Sequence, residues 1–277
     1  MIGIIGHGVV GKAASNTLKK SFELVIYDKY LESVSFSSLH ACDFIFVIVP
    51  TPFDASKMQV DMSAVQESLD KLESINYSGI VIIKSTIPPG STSNYEKMYN
   101  YDIVFNPEFL RESTTPNEDF ANQDIVVLGT DNLDVYTKCK NMYSKVLKKD
   151  IDYFHVDATT AEMIKYSQNT MLASRVALAN MIYDACADLN VDYDTVKNIA
   201  FDGFEILGPH MSQVPGPDGK RGFGGKCLPK DSSAFNSIFK SDLLSCILKY
   251  NSEVRDDLGN FLENYDKKIF LKKLEDE

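Results

Sequence analysis

Residues 2–11 read IGIIGHGVVG, a run of branched apolar residues followed at once by a glycine-rich turn. The turn has the spacing GxGxxG, whose glycines allow a tight turn, close approach of the backbone to a pyrophosphate, and close packing of a helix on a strand. Residues Lys12–Lys20 can form that helix, whose N-terminus would favour an anion. The stretch therefore predicts a strand, a phosphate-binding turn and a helix. The residues predicted to contact a dinucleotide here are Gly6, Gly8, Val9, Val10 and Gly11.

Asp28 and the strand pattern around it extend this prediction. Asp28 ends the second predicted strand, where a carboxylate can accept the ribose hydroxyls of NAD and repel the extra phosphate of NADP. Similar short runs, rich in Ile and Val, alternate with amphipathic segments through the first half of the chain. The predicted strands are Ile2–Ile5, Leu24–Tyr27, Phe44–Val49, Ile80–Ile83, Ile103–Phe105 and Ile125–Leu128. The pattern is typical of an α/β, Rossmann-like domain with a doubly wound parallel sheet, predicted for residues 1–156, and indicates NAD as the cofactor.

The second half of the chain has a helical pattern. The segment Ala158–Asn190 contains no Pro or Gly, and its apolar residues recur with a near-helical period, so we expect one long helix. A second helix is predicted from the N-cap Asp192 to about Phe201, and helices resume at about Lys230 after a Gly- and Pro-rich loop. An all-helical domain built on the long helix is thus predicted for residues 157–277.

Charge and cysteine content limit the classes of function. The chain has 277 residues, with 28 Lys and Arg against 39 Asp and Glu, and its net charge of −11 disfavours partners such as nucleic acids and anionic membrane surfaces. We find no apolar run of the ~20 residues that a membrane span needs, and no export signal at the start. The five cysteines have no CxxC pair and no metal-ligand spacing to His. We expect a soluble cytoplasmic protein without a metal site.

Two turns that follow predicted strands carry hydroxyl groups. Thr51 lies in the motif PTP, and Thr86 lies in the motif STIPPG. Ligands of open α/β sheets bind beyond the carboxyl ends of the strands, so both threonines are candidate ligand contacts. Turns without a ligand explain the two motifs equally well.

Two further motifs carry paired polar residues. Glu108 and Glu112, in FNPEFLRE, would face the same way on a helix, so that one could act as a base and the other bind a cofactor. Paired acids at a helix start also commonly do no more than complement the helix dipole. Lys165 and Asn169 lie four residues apart on the long predicted helix and could together polarise a substrate oxygen, although a solvated helix face is equally consistent.

The loop GFGGKCLPKD, residues 222–231, places Cys227 after three glycines and before a proline-started helix. Nearby cations and a helix N-terminus favour the thiolate, which makes Cys227 a candidate nucleophile. The other four cysteines are expected to be buried and inert. They are Cys42, Cys139, Cys186 and Cys246.

Taken together, these motifs resemble the UDP-glucose/GDP-mannose dehydrogenase family. The resemblance extends from Met1 to roughly Arg255 and runs through GHGVVG, PTP, STIPPG, NPEFLRES, the Lys165 helix and GFGGKCLPKD in order. It implies oxidation of the C6 alcohol of a nucleotide sugar to a carboxylate, with two NAD⁺ consumed and UDP-glucose favoured over GDP-mannose. Cys227 would capture the aldehyde as a thiohemiacetal, which is oxidised to a thioester and then hydrolysed.

The resemblance also implies roles for individual residues. Lys165 and Asn169 match the pair that stabilises the developing oxyanion, and Glu108 matches the acid tied to thioester hydrolysis. Asp231 and Thr86 match positions that handle water and protons. The positions that would contact NAD are Thr51, Thr86, Glu112 and Lys230, beside the glycine turn and Asp28. The positions that would contact the substrate are Glu108, Phe109, Leu110, Arg111, Lys165, Asn169 and Gly224.

Two departures from the family pattern shape the expectations. Family members usually carry a third, Rossmann-like domain after the helical one, and this chain stops where that domain would begin. It could be a natural short form, have lost activity or need a partner chain. Many UDP-glucose enzymes have an arginine ahead of the cysteine loop that reaches the sugar across a dimer, and none stands there in this chain. We expect Lys220 and Arg221 to substitute for it, with a solvated turn as the alternative. Apolar residues on more than one face of the long helix predict a homodimer through the helical domain.

Three alternatives remain open. The substrate could be GDP-mannose. The β-hydroxyacid dehydrogenases also resemble this chain in the glycine-turn domain, the long helix and the Lys-x-x-x-Asn pair, but a single hydride transfer requires neither Cys227 nor Glu108. A catalytically silent subunit that binds NAD or a sugar nucleotide is the third alternative.

Overall fold

The computed structural model describes residues 1–31, 34–54, 59–110, 115–203, 218–220, 223 and 241–255. The chain divides into two compact units, Met1–Met171 and Leu172–Glu277. The division predicted between residues 156 and 157 stays a prediction. Among the described residues, no helix combines the length and the apolar character that crossing a bilayer requires.

The first unit is built on a sheet. Its strands are β1 (Ile2–Ile5), β2 (Leu24–Tyr27), β3 (Phe44–Val47), β6 (Ile80–Ile83), β7 (Asp102–Phe105), β8 (Ile125–Gly129) and β9 (Asp152–Val156), with a separate two-stranded pair of β4 (Phe53–Asp54) and β5 (Gln59–Val60). Within the described part of the chain, the strand order of the sheet is β2-β1-β3-β6-β7-β8-β9. Neighbouring strands in the part of the sheet with the order β2-β1-β3-β6-β7 pair in parallel. This arrangement brings the turns after β1, β2, β3, β6 and β7 to one edge of the sheet.

The helices complete the elements of both units. They are α1 (Val9–Leu18), α2 (Ser63–Ser74), α3 (Ser91–Glu96), α4 (Pro116–Ala121), α5 (Leu133–Tyr143), α6 (Ala158–Asp188), α7 (Tyr193–Lys197) and α8 (Asp242–Val254), with a 3₁₀ helix at Phe36–Ala41 and a π-helical turn at Asn198–Asp202.

Two apolar cores lie on opposite faces of the sheet. Successive residues of β6 alternate between them, with Ile83 in the core that α2 covers and Ile82 in the core that α1 and α5 cover. Leu69 and Leu72 of α2 are fully buried, as expected of an amphipathic helix that covers a sheet. Burial on both faces explains why these strands read as continuous apolar runs. The predicted Rossmann-like, doubly wound fold is therefore confirmed.

Three predictions about the sheet were wrong in detail. β8 runs antiparallel to β7, with Phe105 opposite Gly129, so the sheet is mixed and not wholly parallel. An apolar run reads the same in either direction, so the sequence held no sign of this. β9 was missed because it is an edge strand, largely exposed, whose residues DYFHV form no apolar run. β3 ends at Val47 and not at Val49, because the Val49 N–H donates to the Ser85 hydroxyl instead of a neighbouring strand.

The described part of the second unit is helical. Asp192 caps α7, as predicted, by accepting a hydrogen bond from the Thr195 N–H at 2.9 Å. At the far end of α8, the buried Arg255 pairs with Asp218 at 2.7 Å. The buried side chain of Asn251, on α8, makes two hydrogen bonds to the backbone of Phe223. Its Oδ1 accepts the Phe223 N–H, and its Nδ2 donates to the Phe223 carbonyl. The second residue of the predicted cysteine loop is thus held against α8.

The cysteines differ in exposure. Cys42, Cys139 and Cys186 are buried, as expected, and burial raises the pKa of Cys139 to about 12. Cys246 is exposed on α8, so the expectation of burial was wrong there. Its position in a helix leaves it on the solvent side while Leu244 packs inward.

Candidate active site

The glycine turn follows β1 and opens α1. Gly6 has a φ of +93°, and a Cβ there would lie 2.1 Å from the carbonyl oxygen of Ile48. A Cβ on Gly11 would lie 2.2 Å from the carbonyl oxygen of Gly6, whereas a Cβ on Gly8 would meet nothing within 4 Å. The first and third glycines are therefore required by the packing of the chain itself. The space beside Gly8, at the start of a helix without a side-chain cap, fits the approach of a pyrophosphate.

Asp28 lies beside the glycine turn, as predicted. Its Oδ2 accepts the His7 N–H at 2.7 Å, and its Oδ1 accepts the Tyr30 N–H at 2.9 Å. The hydrogen bond from His7 holds the pKa of the Asp28 carboxyl below its usual value. Asp28 also lines a cavity of about 190 Å³ at the carboxyl ends of β1 and β2. A carboxylate at this position can accept the hydroxyls of a ribose.

The two hydroxyl-bearing turns are tied to each other. Val49 donates its N–H to Ser85 Oγ at 2.9 Å, and Ser85 Oγ donates to the Val49 carbonyl at 2.7 Å. Thr51 Oγ1 donates to the Thr86 carbonyl at 2.8 Å. The turns after β3 and β6 therefore form one rigid ledge at the carboxyl edge of the sheet. Ser85, the first residue of STIPPG and not itself predicted to have a role, joins the two turns together with Thr51.

Glu108 follows β7 and is held from two sides. Its Oε1 accepts the N–H groups of Phe109 and Leu110, at 2.9 and 3.2 Å. Its Oε2 lies 2.9 Å from Lys84 Nζ, an ion pair in which the lysine side chain is 1% exposed and the glutamate side chain 12%. The angles of that contact are not those of a hydrogen bond. Residues 106–110 are not helical, so the condition for a helix face shared by Glu108 and Glu112 is not met at Glu108. Glu112 lies outside the described residues, and its role stays a prediction.

A buried polar network surrounds Lys84. Lys84 Nζ donates to Asn106 Oδ1 at 2.9 Å and lies 5.3 Å from the centre of the Phe120 ring. Asn106 also accepts the Tyr143 hydroxyl at 2.5 Å and donates to the Val127 carbonyl at 2.7 Å. Burial, and secondly the charge of Glu108, raise the pKa of Tyr143 well above its usual value, so its hydroxyl stays a donor. The network fixes Lys84, and Lys84 fixes the Glu108 carboxylate.

The start of α6 is anchored by a buried carboxylate, Glu162. Its Oε1 accepts the Thr92 N–H at 2.8 Å and the Thr92 hydroxyl at 2.6 Å, and its Oε2 accepts the Gly90 N–H at 2.5 Å. Three residues further along the helix, Lys165 Nζ donates to the Glu108 carbonyl and lies 5.4 Å from the centre of the Phe109 ring. Glu162 thereby sets the position from which Lys165 reaches the segment after β7.

Glu162→Gln is expected to lower the free energy of unfolding by about 1–3 kcal/mol, because one buried N–H then faces an amide that cannot accept it. Chemical denaturation of both proteins measures the difference. The matched control is Glu23→Gln, which removes the same charge from an exposed side chain and should change stability by less than about 0.5 kcal/mol. Equal stability of the Glu162→Gln variant and the parent would contradict the anchoring role.

Comparison with known protein families identifies what the chain is similar to. Residues 16–147 match the NAD binding domain of the UDP-glucose/GDP-mannose dehydrogenase family, and residues 159–255 match the central domain of that family. The chain belongs to the UDP-glucose/GDP-mannose dehydrogenase family. The resemblance inferred from the motifs is therefore confirmed, and the space at Gly8 and the position of Asp28 fit the NAD after which the first domain is named.

Similar curated proteins include a UDP-glucose 6-dehydrogenase of Rickettsia bellii, 33% identical over 250 residues, which cover 85% of this chain and 56% of the relative. The UDP-glucose 6-dehydrogenase of Campylobacter jejuni is 30% identical over 253 residues, covering 83% and 61%. The chain thus spans a little over half the length of these relatives.

Solved structures share the fold. A ternary complex of GDP-mannose dehydrogenase from Pseudomonas aeruginosa has a TM-score of 0.77 at 21% identity, covering 96% of this chain and 72% of that one. A UDP-glucose dehydrogenase from Pyrobaculum islandicum has a TM-score of 0.65 at 22% identity, covering 90% and 68%.

The described residues include only part of the predicted site of this family member. Lys165, Glu108 and Phe109 lie together, and Leu110 is joined to them through its N–H. Asn169 is exposed on α6, one turn beyond Lys165, and Lys220 is exposed with its N–H donated to Asp218. Their catalytic and binding roles stay predictions. The predicted site residues outside the described part are Arg111, Glu112, Arg221, Gly224, Cys227, Lys230 and Asp231.

Proposed function

We propose that this chain carries out the NAD-dependent oxidation of the C6 alcohol of UDP-glucose to the carboxylate of UDP-glucuronate. The observation that carries the proposal is the contact of Lys165 with Glu108 and Phe109, which joins the helix of the central domain to the segment NPEFL at the carboxyl edge of the NAD-binding sheet. The named relatives are UDP-glucose 6-dehydrogenases, which supports UDP-glucose over GDP-mannose.

The residues divide the work of two oxidations. Two NAD⁺ molecules, bound one after the other at the glycine turn, would each supply the acceptor for one hydride. Lys165 and Asn169 donate hydrogen bonds to the oxygen on C6, where negative charge develops in each step. The Cys227 thiolate adds to the aldehyde carbon, so that the reactive aldehyde is not released between the oxidations. Loss of the second hydride from that carbon leaves a thioester on Cys227.

Hydrolysis completes the reaction. Water adds to the thioester carbon and the Cys227 thiolate leaves, while Glu108, with Asp231 and Thr86, handles the proton of the water. The overall balance is one alcohol, one water and two NAD⁺ converted to one carboxylate, two NADH and three protons. Lys84 contributes by holding the Glu108 carboxylate in one place.

The test counts NADH formed per UDP-glucose consumed by the purified protein. We expect two NADH per sugar, and we expect Cys227→Ser to form no UDP-glucuronate, because a hydroxyl is a far weaker nucleophile than a thiolate. The matched control is Cys246→Ser, which changes an exposed cysteine of α8 and should keep the ratio.

The other outcomes separate the alternatives. One NADH per sugar would contradict the thioester route and favour a two-electron dehydrogenase. NADH formed with GDP-mannose alone would change the substrate. NAD binding without NADH from either sugar would favour a catalytically silent binding subunit. The homodimer and the cytoplasmic location stay predictions.

A further inference from the structure

The cavity beside Asp28 carries balanced charges. The charged residues that line it in the described part of the chain are Asp28, Lys29, Glu67 and Lys71, two acids and two lysines. Asp28 and Lys29 follow β2, whereas Glu67 and Lys71 lie on the facing helix α2. The formal charges of these four side chains sum to zero, although two of the side chains are cationic.

Glu67 binds both lysines. Lys29 Nζ lies 2.8 and 3.1 Å from the two carboxylate oxygens of Glu67, and Lys71 Nζ lies 2.7 Å from Glu67 Oε1. Hydrogen bonding by Lys29, and secondly by Lys71, lowers the pKa of Glu67 to about 2, so Glu67 is ionised at neutral pH. Lys71 also lies 5.9 and 5.7 Å from the ring centres of Tyr27 and Phe36, which line the same cavity.

Lys29 stands where a cation would matter for the choice of cofactor. In dinucleotide-binding folds the acid after the second strand binds the ribose, and a basic residue near it accommodates the 2′-phosphate of NADP. Lys29 directly follows Asp28, so this chain has both groups side by side. The charge of Lys29 is directed to Glu67 instead of to the ribose site.

We propose that Glu67 determines cofactor specificity, by neutralising Lys29 and Lys71 so that the cavity rejects the 2′-phosphate of NADP. The inference rests on the proposed function only in requiring that the cofactor's ribose lie at Asp28. Without Glu67 the described charges of the cavity sum to one positive charge, and Lys29 is released toward the ribose site. Glu67 thus adds to the repulsion by Asp28 without touching the reacting atoms.

Glu67 can be substituted with little expected effect on the stability of the fold. The side chains of Lys29, Glu67 and Lys71 are 52%, 41% and 40% exposed, and exposed pairs of this kind contribute little to stability. Glu67→Gln is nearly the same size, so the fold is expected to persist.

The experiment measures dissociation constants of NAD⁺ and NADP⁺ by calorimetry for the full chain, its Glu67→Gln variant and the double variant Lys29→Met/Glu67→Gln. For Glu67→Gln we expect NADP⁺ to bind about fivefold to tenfold more tightly, because one negative charge near the 2′-phosphate is removed. The affinity for NAD⁺ should change less than about twofold. The increase in NADP⁺ affinity should be smaller in high salt, and it should also be smaller in the double variant, which lacks the charge of Lys29. The control Glu73→Gln removes an acid from the same helix outside the cavity and should show no gain.

Each other result has a definite meaning. If Glu67→Gln binds NAD⁺ normally but gains nothing for NADP⁺, the inference is overturned while NAD binding stands. An equal gain in Glu73→Gln would assign the effect to overall charge and would also overturn it. If the unaltered chain binds neither nucleotide, the proposed function fails and the inference fails with it.

Discussion

Gly11→Ala is expected to lower the free energy of unfolding by about 3 kcal/mol or more, and with it to abolish NAD binding. The added methyl would lie 2.2 Å from the Gly6 carbonyl oxygen, and backbone cannot move aside as a flexible side chain can. Alanine in place of glycine inside a helix normally stabilises by about 0.5–1 kcal/mol. That gain is too small to offset the clash.

Gly8→Ala is the matched control from the same turn. Its φ of −72° suits alanine and its Cβ would meet nothing within 4 Å, so we expect stability to change by less than about 1 kcal/mol. NAD affinity should nevertheless fall about tenfold or more, because the methyl occupies the space into which a pyrophosphate must come. Denaturation and calorimetry on both variants separate the two effects. Equal loss of stability in both variants would show that the space beside Gly8 serves the fold and not the cofactor.

Lys84→Met is expected to cost about 3–5 kcal/mol of unfolding free energy, since it leaves the Glu108 carboxylate half of a buried ion pair without its cation. The double variant Lys84→Met/Glu108→Gln should be less destabilised than the sum of the two single changes, because it removes both charges together. Denaturation of the four proteins of this cycle gives the coupling energy. We also expect the single variant to lower kcat more than it raises KM, because the role proposed for Glu108 lies in hydrolysis and not in binding NAD.

The control for this prediction is Lys148→Met. Lys148 pairs with Asp124 at 2.6 Å, but the two side chains are 39% and 89% exposed. We expect its loss to cost less than about 1 kcal/mol. A cost for Lys84→Met no larger than that for Lys148→Met would contradict the proposed burial of the Lys84–Glu108 pair.

The glycine turn and the apolar strands were predictable because each is a local pattern. GxGxxG constrains the backbone at Gly6 and Gly11 through contacts made within a few residues or with the next parallel strand. The buried strands are apolar on both faces, which leaves an unbroken run in the sequence. The exposed edge strand β9 offers no such run, and the direction of β8 depends on where the chain returns to the sheet.

The charged residues that order the site were harder to find. Lys84 directly follows the apolar strand β6, where lysines commonly reach solvent, and its partner Glu108 lies three residues beyond the neighbouring strand β7. The ion pair can be predicted only when β6 and β7 are known to be adjacent in the sheet. Glu162 shows still less in the sequence, because two of its three hydrogen bonds are to backbone N–H groups, which every residue but proline has.

Asp28 has a second duty that bears on redesign. The carboxylate that we expect to bind the ribose also holds the glycine turn by accepting the His7 N–H. A substitution of Asp28 designed to admit NADP would also remove the hydrogen bond that holds the glycine turn, which is expected to bind the diphosphate. Cofactor preference and the conformation of the glycine turn thus depend on one side chain. Substitution of Asp28 to change the preference would therefore also weaken the binding of the diphosphate.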